Sequence, residues 1–464
     1  MSSPTVPSAF PAEVFDLVVN EVARFPNEGS RIKTLCAAAL VSWYFRHRAH
    51  AHLFSSIHIR DAELNSPRLA AALQARRLLG LINHDPQSET TGIASYVRSL
   101  TVTLSGPMNK VRRILDDGTL AALLRKIFRT TDVGHRSLSL SFLVRGNLGS
   151  VFDWESLNAD FLDAFHDLCR NPMLTTLHLA HFANLPRTLL HHSFIKNVRF
   201  SRLQLAETGT EDEDIPEPVR AFADEPDISA LEEGQAVPLE SIETDHSLPL
   251  LDLIDMTPQQ MLHPRLAFSQ LKTLTAHIGN EDDFHKTRWI LLNAASTLTA
   301  LDIILFSTDE LPEPDWRIAV AELPALKTIS VVQQSTSYKS PGRTTIPQIC
   351  ALMNHINQHP HIEAAKISLF LYSPKSGRTP QDIFDGHDFS PLDELFAHGR
   401  FLGLKRLTIQ LLFNLYTDGR KFDLGKFRVE GTDCVQKSFV EMSSRAESER
   451  LRFNIEIAPH VRPA

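Results

Sequence analysis

A six-residue pattern recurs through this chain and limits how it can fold. It reads L-x-x-L-x-L, with Val, Ile or Ala allowed at the apolar places. It falls in residues 97–104, 137–140, 174–179, 271–274, 298–303, 326–331, 362–367 and 404–409. Alternating apolar residues over so short a run specify half-buried strands. Helix-like stretches lie between them, at 69–82, 111–127, 161–168 and 346–356. In the first, Leu69, Leu73, Leu78, Leu79 and Ile82 share one broad apolar face. A strand–helix unit repeated in this way cannot bury its apolar face alone and must stack on its neighbours.

The pattern resembles the strand signature of leucine-rich repeats. It departs from regular ones in two ways. The starts are about 27 to 42 residues apart within each run, longer than the ~20–29 of regular repeats, and the Asn that usually follows the strand is missing. The resemblance implies an irregular α/β solenoid with a parallel sheet inside and helices outside. A conventional α/β domain also alternates strands and helices, and the recurrent pattern favours the solenoid.

The series is interrupted by an acidic stretch. Residues 207–245 hold fourteen Asp and Glu against one cation, Arg220. The chain's net charge of −8 therefore divides into −13 here and +5 elsewhere. That excess is too small to argue for nucleic acid. A segment so rich in Glu, Asp and Pro cannot bury enough apolar surface to offset chain entropy. The expected organisation is a flexible tail over 1–8, a helical hairpin over 9–52, the first half of an α/β solenoid over 53–205, an acidic disordered insertion over 206–247 and the second half over 248–464.

The N-terminal 40 residues read as two short helices. Pro11 suits a first helical turn, and Glu13 follows where the helix dipole favours a negative charge. Val14, Leu17, Val18 and Val22 recur at spacings of three and four. Pro26 and Gly29 break the pattern, and Ser30 is the expected N-cap of the next helix. Ile32, Leu35, Cys36, Ala39 and Leu40 repeat an apolar face, and Arg46, His47 and Arg48 end it. Such a hairpin is too small to hold a core alone. It must lean on a partner or on the rest of the chain, which points to binding rather than catalysis.

These residues resemble the F-box, whose general pattern is Leu-Pro-x-Glu, an apolar helix, a turn, and an apolar helix ending in Leu-Val-Cys-x-x-Trp. Pro11, Glu13, Leu40 and Val41 match. Phe10 stands where Leu is usual, Ser42 replaces Cys and Phe45 takes the Trp position. The continuation through Phe54 and Ile57, and the segment Ile93 to Thr101, are similar to F-box-like proteins abundant in mushroom-forming fungi. The F-box match covers about a tenth of the chain. It implies docking onto a Skp-type adaptor, and through it a cullin, in an SCF-type cullin–RING ubiquitin ligase. The adaptor-binding residues would be Phe10, Pro11, Glu13, Val14, Leu17, Leu40, Val41 and Phe45. The solenoid would hold a protein substrate on its concave, strand-lined side, where Thr101, Thr103, His178, Thr275, Asp302, Ser330 and Thr408 are the exposed positions. The implied location is cytoplasmic or nuclear. The alternative is a leucine-rich-repeat interaction scaffold with no ligase role, its hairpin serving as a cap.

Catalytic signals are missing from the sequence. It has no Gly-rich phosphate loop, no G-x-S-x-G and no HExxH, so no enzyme, cofactor or metal is expected. The nearest ligand-like cluster, His355-x-x-x-His359-Pro360-His361, lacks a carboxylate at a useful spacing. The four cysteines, Cys36, Cys169, Cys350 and Cys434, are far apart and suggest neither zinc nor a disulfide framework. No apolar run approaches the ~20 residues of a membrane span, and the N-terminus carries no secretory pattern.

Overall fold

The computed structural model describes residues 12–61, 70–83, 92–128, 137–145, 151–190, 193–206, 239–244, 268–307, 323–335, 345–356, 361–373, 381, 389–397, 403–417, 423–439 and 452–463. They fall into two compact units, one holding 12–206 and the other 239–463. Each is an α/β array in which parallel strands alternate with helices, of the leucine-rich-repeat type.

The first unit opens with three helices, α1 (Ala12–Ala23), α2 (Glu28–Ala39) and α3 (Trp43–Leu53). The sequence reading expected two. The second helix stops at Ala39 because Ser42 caps a new one, its side chain accepting from the Phe45 amide at 3.3 Å. The cap of α2 is Asn27 rather than Ser30. Asn27 Oδ1 accepts from the Ser30 amide at 2.9 Å, which places Ser30 inside the helix. Glu13 lies in the first turn of α1 as expected.

Five parallel strands follow in the order β1 (Ser56–Arg60), β2 (Ser99–Ser105), β3 (Leu138–Arg145), β5 (Leu174–Ala180) and β7 (Asn197–Ser201). Two short strands, β4 (Phe152–Asp153) and β6 (Phe182–Ala183), pair separately. The connecting helices are α4 (Ala71–Asn83), α5 (Met108–Asp116), α6 (Thr119–Phe128) and α7 (Ala159–Cys169). The single helix expected over 111–127 is thus two. Gly118 separates them with a positive φ of 72°, a conformation that only glycine adopts without strain. Asp117 then accepts from the Thr119 amide at 2.8 Å to start α6.

The interior of this unit is aromatic. Phe142 of β3 meets Phe161 and Phe165 of α7 at ring-centroid distances of 5.6 and 6.3 Å, and Phe182 of β6 at 5.5 Å. Trp154 closes the cluster on Phe165 and Phe182. All five rings are buried.

The second unit runs β8 (Ser241–Thr244), β9 (Thr273–Ile278), β10 (Ala300–Ser307), β11 (Thr328–Ser335), β12 (Ala364–Ser373), β13 (Arg406–Thr417) and β14 (Arg452–Pro463), each parallel to the next. Its helices are α8 (Glu281–Asn293), α9 (Thr345–Ile356), α10 (Ser390–Ala397) and α11 (Leu424–Ser438). Asn280 and Asp283 form a reciprocal capping box at the start of α8. Strand β8 lies within the span read as a disordered insertion, so that reading extends too far at its C-terminal end. Leu239 and Ile242 are fully buried, which ties 239–244 to the sheet. Residues 207–238 and 245–247 lie outside the described residues, as do the tail over 1–8, Phe10 and Pro11.

All eight expected strands form; β5 starts at the first residue of its motif and β3 one residue in, whereas the other six start two residues in because the first apolar residue lies in the turn before the ladder. That residue is still core: Val97, Leu271, Leu298, Leu326 and Ile362 are buried. A hydrogen-bond device repeats at the same place. One backbone carbonyl accepts from two successive amides of the next strand's start. Glu240 O accepts from Lys272 and Thr273, Lys272 O from Thr299 and Ala300, Thr299 O from Lys327 and Thr328. Lys327 O then accepts from Glu363 and Ala364, and Glu363 O from Lys405 and Arg406. Ser55 O does the same for Arg98 and Ser99 in the first unit. These turns satisfy backbone donors that would otherwise be left unpaired.

Candidate docking surfaces

The three N-terminal helices enclose a small core of Val19, Leu35, Ala39 and Ala49, with Val22, Phe45 and Leu53 packed against it. Asp16 ties α1 to α3. Its Oδ1 accepts from Tyr44 Oη at 2.7 Å and pairs with Arg48 Nε at 2.7 Å. Phe15 packs edge-on against Phe45 at 5.0 Å. Arg46 Nε donates to the Ala39 carbonyl at 3.3 Å, closing the end of α2. The α2–α3 junction is therefore held beside the N-terminal half of α1.

What this core leaves outside is apolar. Leu17 is 63 % exposed, Leu40 81 % and Val41 70 %, and Val14, Val18, Ile32 and Trp43 are exposed as well. The periodic set Val14, Leu17, Val18 and Val22 is thus not one inward face. Val22 packs on the core and the other three point to solvent, while Val19, one position along, is 2 % exposed. Exposed apolar residues so close together mark interaction sites more often than scattered single ones do. Of the eight residues expected at the adaptor, Val14, Leu17, Leu40 and Val41 lie at this surface, and Glu13 is exposed in the first turn of α1. Phe45 is half-buried and packs inward on Phe15. Phe10 and Pro11 lie outside the described residues.

The histidines of α3 do other work. His47 and His50 pack on Tyr96 of the short 3-10 helix Ile93–Tyr96 at 5.2 and 6.0 Å, and His52 Nε2 bonds Asn20 Oδ1 at 2.9 Å. The Tyr96 contacts hold the helices to the rest of their unit, and the His52 bond ties α3 to α1. Burial lowers the pKa of both His50 and His52.

The second candidate surface is the strand face turned away from the helices. In the first unit, register aligns Ser56, Ser99, Ser139, Thr176 and Asn197 in one row, and His58, Thr101, Ser141, His178 and Arg199 in the next. The first row is stitched by hydrogen bonds from Ser139 Oγ to Ser99 Oγ at 3.0 Å and from Asn197 Nδ2 to Thr176 Oγ1 at 3.3 Å. In the second row, burial and then the neighbouring Arg199 push His178 down to about 4.

That depression has a sign. The unfolded chain takes up a proton near the ordinary histidine value of 6.5, before the folded chain does, so stability falls as pH drops from 6.5 towards 4 and levels off below. His178→Gln should remove this contribution. Denaturant midpoints measured at pH 7 and pH 5 should show the variant gaining on the wild type at the lower pH. An unchanged difference would mean that His178 titrates normally.

In the second unit the equivalent row is Thr275, Asp302, Ser330, Lys366, Thr408 and Asn454. Burial raises the Asp302 pKa, opposed by hydrogen bonds from Ser330 and Thr275 and by the charge of Lys366. One row further, Ser368 Oγ donates to Gln410 Oε1 at 3.0 Å and Gln410 Nε2 to Glu456 Oε2 at 3.2 Å. Thr101, Thr103, His178, Thr275, Asp302, Ser330 and Thr408, expected from sequence to be exposed, all lie in such rows, where each is half-buried instead. Sequence reading missed β7, β8 and β14 and the short β4 and β6. For β7 and β8 the signal was present as Ile195-x-x-Val198-x-Phe200 and Leu239-x-x-Ile242, whose apolar residues are all buried.

Among the described residues no group of three or more His, Cys, Asp or Glu is placed to hold a metal, and no helix is long and apolar enough to cross a membrane. His355 lies at the end of α9, with His359 and Pro360 outside the described residues. Cys169 and Cys350 fill core positions, and burial pushes both thiols up to about 12. A scan against models of protein families found no match for this chain, and neither did a search of curated proteins.

Proposed function

We propose that this protein is the substrate-recognition subunit of an SCF-type cullin–RING ubiquitin ligase. The N-terminal helices would dock a Skp-type adaptor, and through it a cullin, while a strand-lined face holds a protein substrate. The observation that carries the reading is the set of apolar residues left outside a core that other residues already fill: Val14, Leu17, Leu40 and Val41 are four of the eight F-box-like positions, and all four are exposed. Such a subunit performs no bond chemistry itself. It raises the effective concentration of substrate at the ligase, so that transfer becomes in effect intramolecular.

Co-expression of the full chain with a Skp-type adaptor tests this. The expected result is a complex that survives size-exclusion chromatography. A folded chain that leaves the adaptor behind would favour the second reading, a leucine-rich-repeat interaction scaffold whose helices cap the array. The packing of His47 and His50 on Tyr96 suits that reading, because a cap must be fixed to the repeat beside it.

A further inference from the structure

The strand face of the first unit differs in charge from that of the second. Strands β1, β2, β3, β5 and β7 contain no Asp or Glu. They carry Arg60, Arg145 and Arg199, together with His58 and His178. The strands of the second unit carry both signs, with Glu243, Asp302 and Glu456 against Lys366, Arg406 and Arg452. On the first face the remaining outward positions are largely hydroxyls and an amide, from Ser56, Ser99, Thr101, Ser139, Ser141, Thr176 and Asn197. These groups donate hydrogen bonds to anions.

Among the described residues of these strands, Arg60 and Arg199 are exposed, and they stand on the first and last strands of the unit. Arg60 is on β1 and Arg199 on β7, four strand steps apart in the sheet order. At ~4.8 Å per step their strands are about 19 Å apart. An extended peptide rises ~3.3 Å per residue, so about six residues laid across the strands would span the gap. We infer that the strand face of the first unit docks an extended acidic peptide segment of a protein partner, with carboxylates about six residues apart engaging Arg60 and Arg199. The hydroxyl and amide rows accommodate the peptide between them. The inference names the substrate class for the strand face and rests on the reading of that face as the substrate side.

The probe is a fluorescent peptide with a Glu-Glu pair at each end of a Gly-Ser spacer, titrated into the full chain. A control peptide has the same charge gathered at its centre, and a second replaces every Glu by Gln. The spaced acidic peptide should bind most tightly, and the Gln peptide should not bind. The double variant R60E/R199E should weaken the spaced peptide by about tenfold or more, through lost attraction and new repulsion, whereas K366E on the second unit should leave it unchanged. Binding should also fall as salt rises, because exposed charge pairs are screened. In the wild type, the His178 imidazole followed by NMR should titrate at higher pH when the acidic peptide is bound. Equal binding of the two acidic peptides, or binding that neither the double variant nor His178 reports, would overturn the inference, as would no binding. The L17D/V41D variant should keep peptide affinity. A wild-type chain that binds the peptide but no Skp-type adaptor would sink the ligase reading and leave this one standing, and adaptor binding without peptide binding would do the reverse.

Discussion

Replacing Leu17 and Val41 together by Asp is expected to abolish adaptor binding while the chain stays folded. Both side chains are more than 60 % exposed, so the changes remove little packing and should cost the fold no more than about 1 kcal/mol. At an interface the same residues would be covered. A carboxylate buried there without a partner meets a desolvation cost, and central apolar anchors are each worth about 2–4 kcal/mol. The combined loss in affinity should reach about a hundredfold or more. Val19→Asp is the contrasting variant: Val19 is 2 % exposed inside the helical core, and its replacement should unfold the three helices. Circular dichroism and size-exclusion with the adaptor separate the two outcomes. A folded double variant that still co-purifies with the adaptor would remove the F-box reading from these residues.

Phe142→Ala should be the most destabilising single change in the first unit. The ring lies 1 % exposed among Phe161, Phe165 and Phe182. Removing it leaves a cavity between the sheet and α7, with an expected cost of about 3–5 kcal/mol. The thermal transition of this unit should fall by roughly 10 °C, at ~2–4 °C per kcal/mol for a unit of this size. Leu143→Ala, one residue along on the outward row, should move it by no more than about 1 kcal/mol. Similar losses at both positions would contradict the assignment of the two faces.

The strands were legible because their motif is a packing rule. Residues such as Leu298, Leu301 and Ile303 are buried at the intervals the pattern sets, and period-two alternation survives changes in loop length. β7 escaped because Phe200 fills a place where smaller residues were expected. β8 escaped because acidic neighbours such as Glu240 and Glu243 outweighed Leu239 and Ile242 in composition. In the N-terminal helices, periodicity grouped Val14, Leu17 and Val18 but could not say which way they face. An apolar stripe that fills a core and one that awaits a partner have the same spacing. The split at Leu40-Val41-Ser42 was hidden for a related reason, since apolar periodicity runs on through a turn that a serine cap defines. Asp16 as the tie between α1 and α3 depends on Tyr44 and Arg48, 28 and 32 positions away, and no local pattern announces such a contact.

The doubled carbonyl acceptor at the start of β2 and of β9 to β13 bears on how such a chain can change over generations. Register is pinned where one strand begins beside the next, by the backbone alone, and not by the length of what returns between them. A connection can therefore lengthen or shorten by whole turns without sliding any residue from the core side to the open side. Codon insertions in those segments become nearly neutral in folding terms, while the open face stays an aligned grid whose individual squares can be rewritten. The uneven spacing of the repeats is then a record of that tolerance, and a lineage built on this plan could diversify what it binds faster than it risks losing its fold.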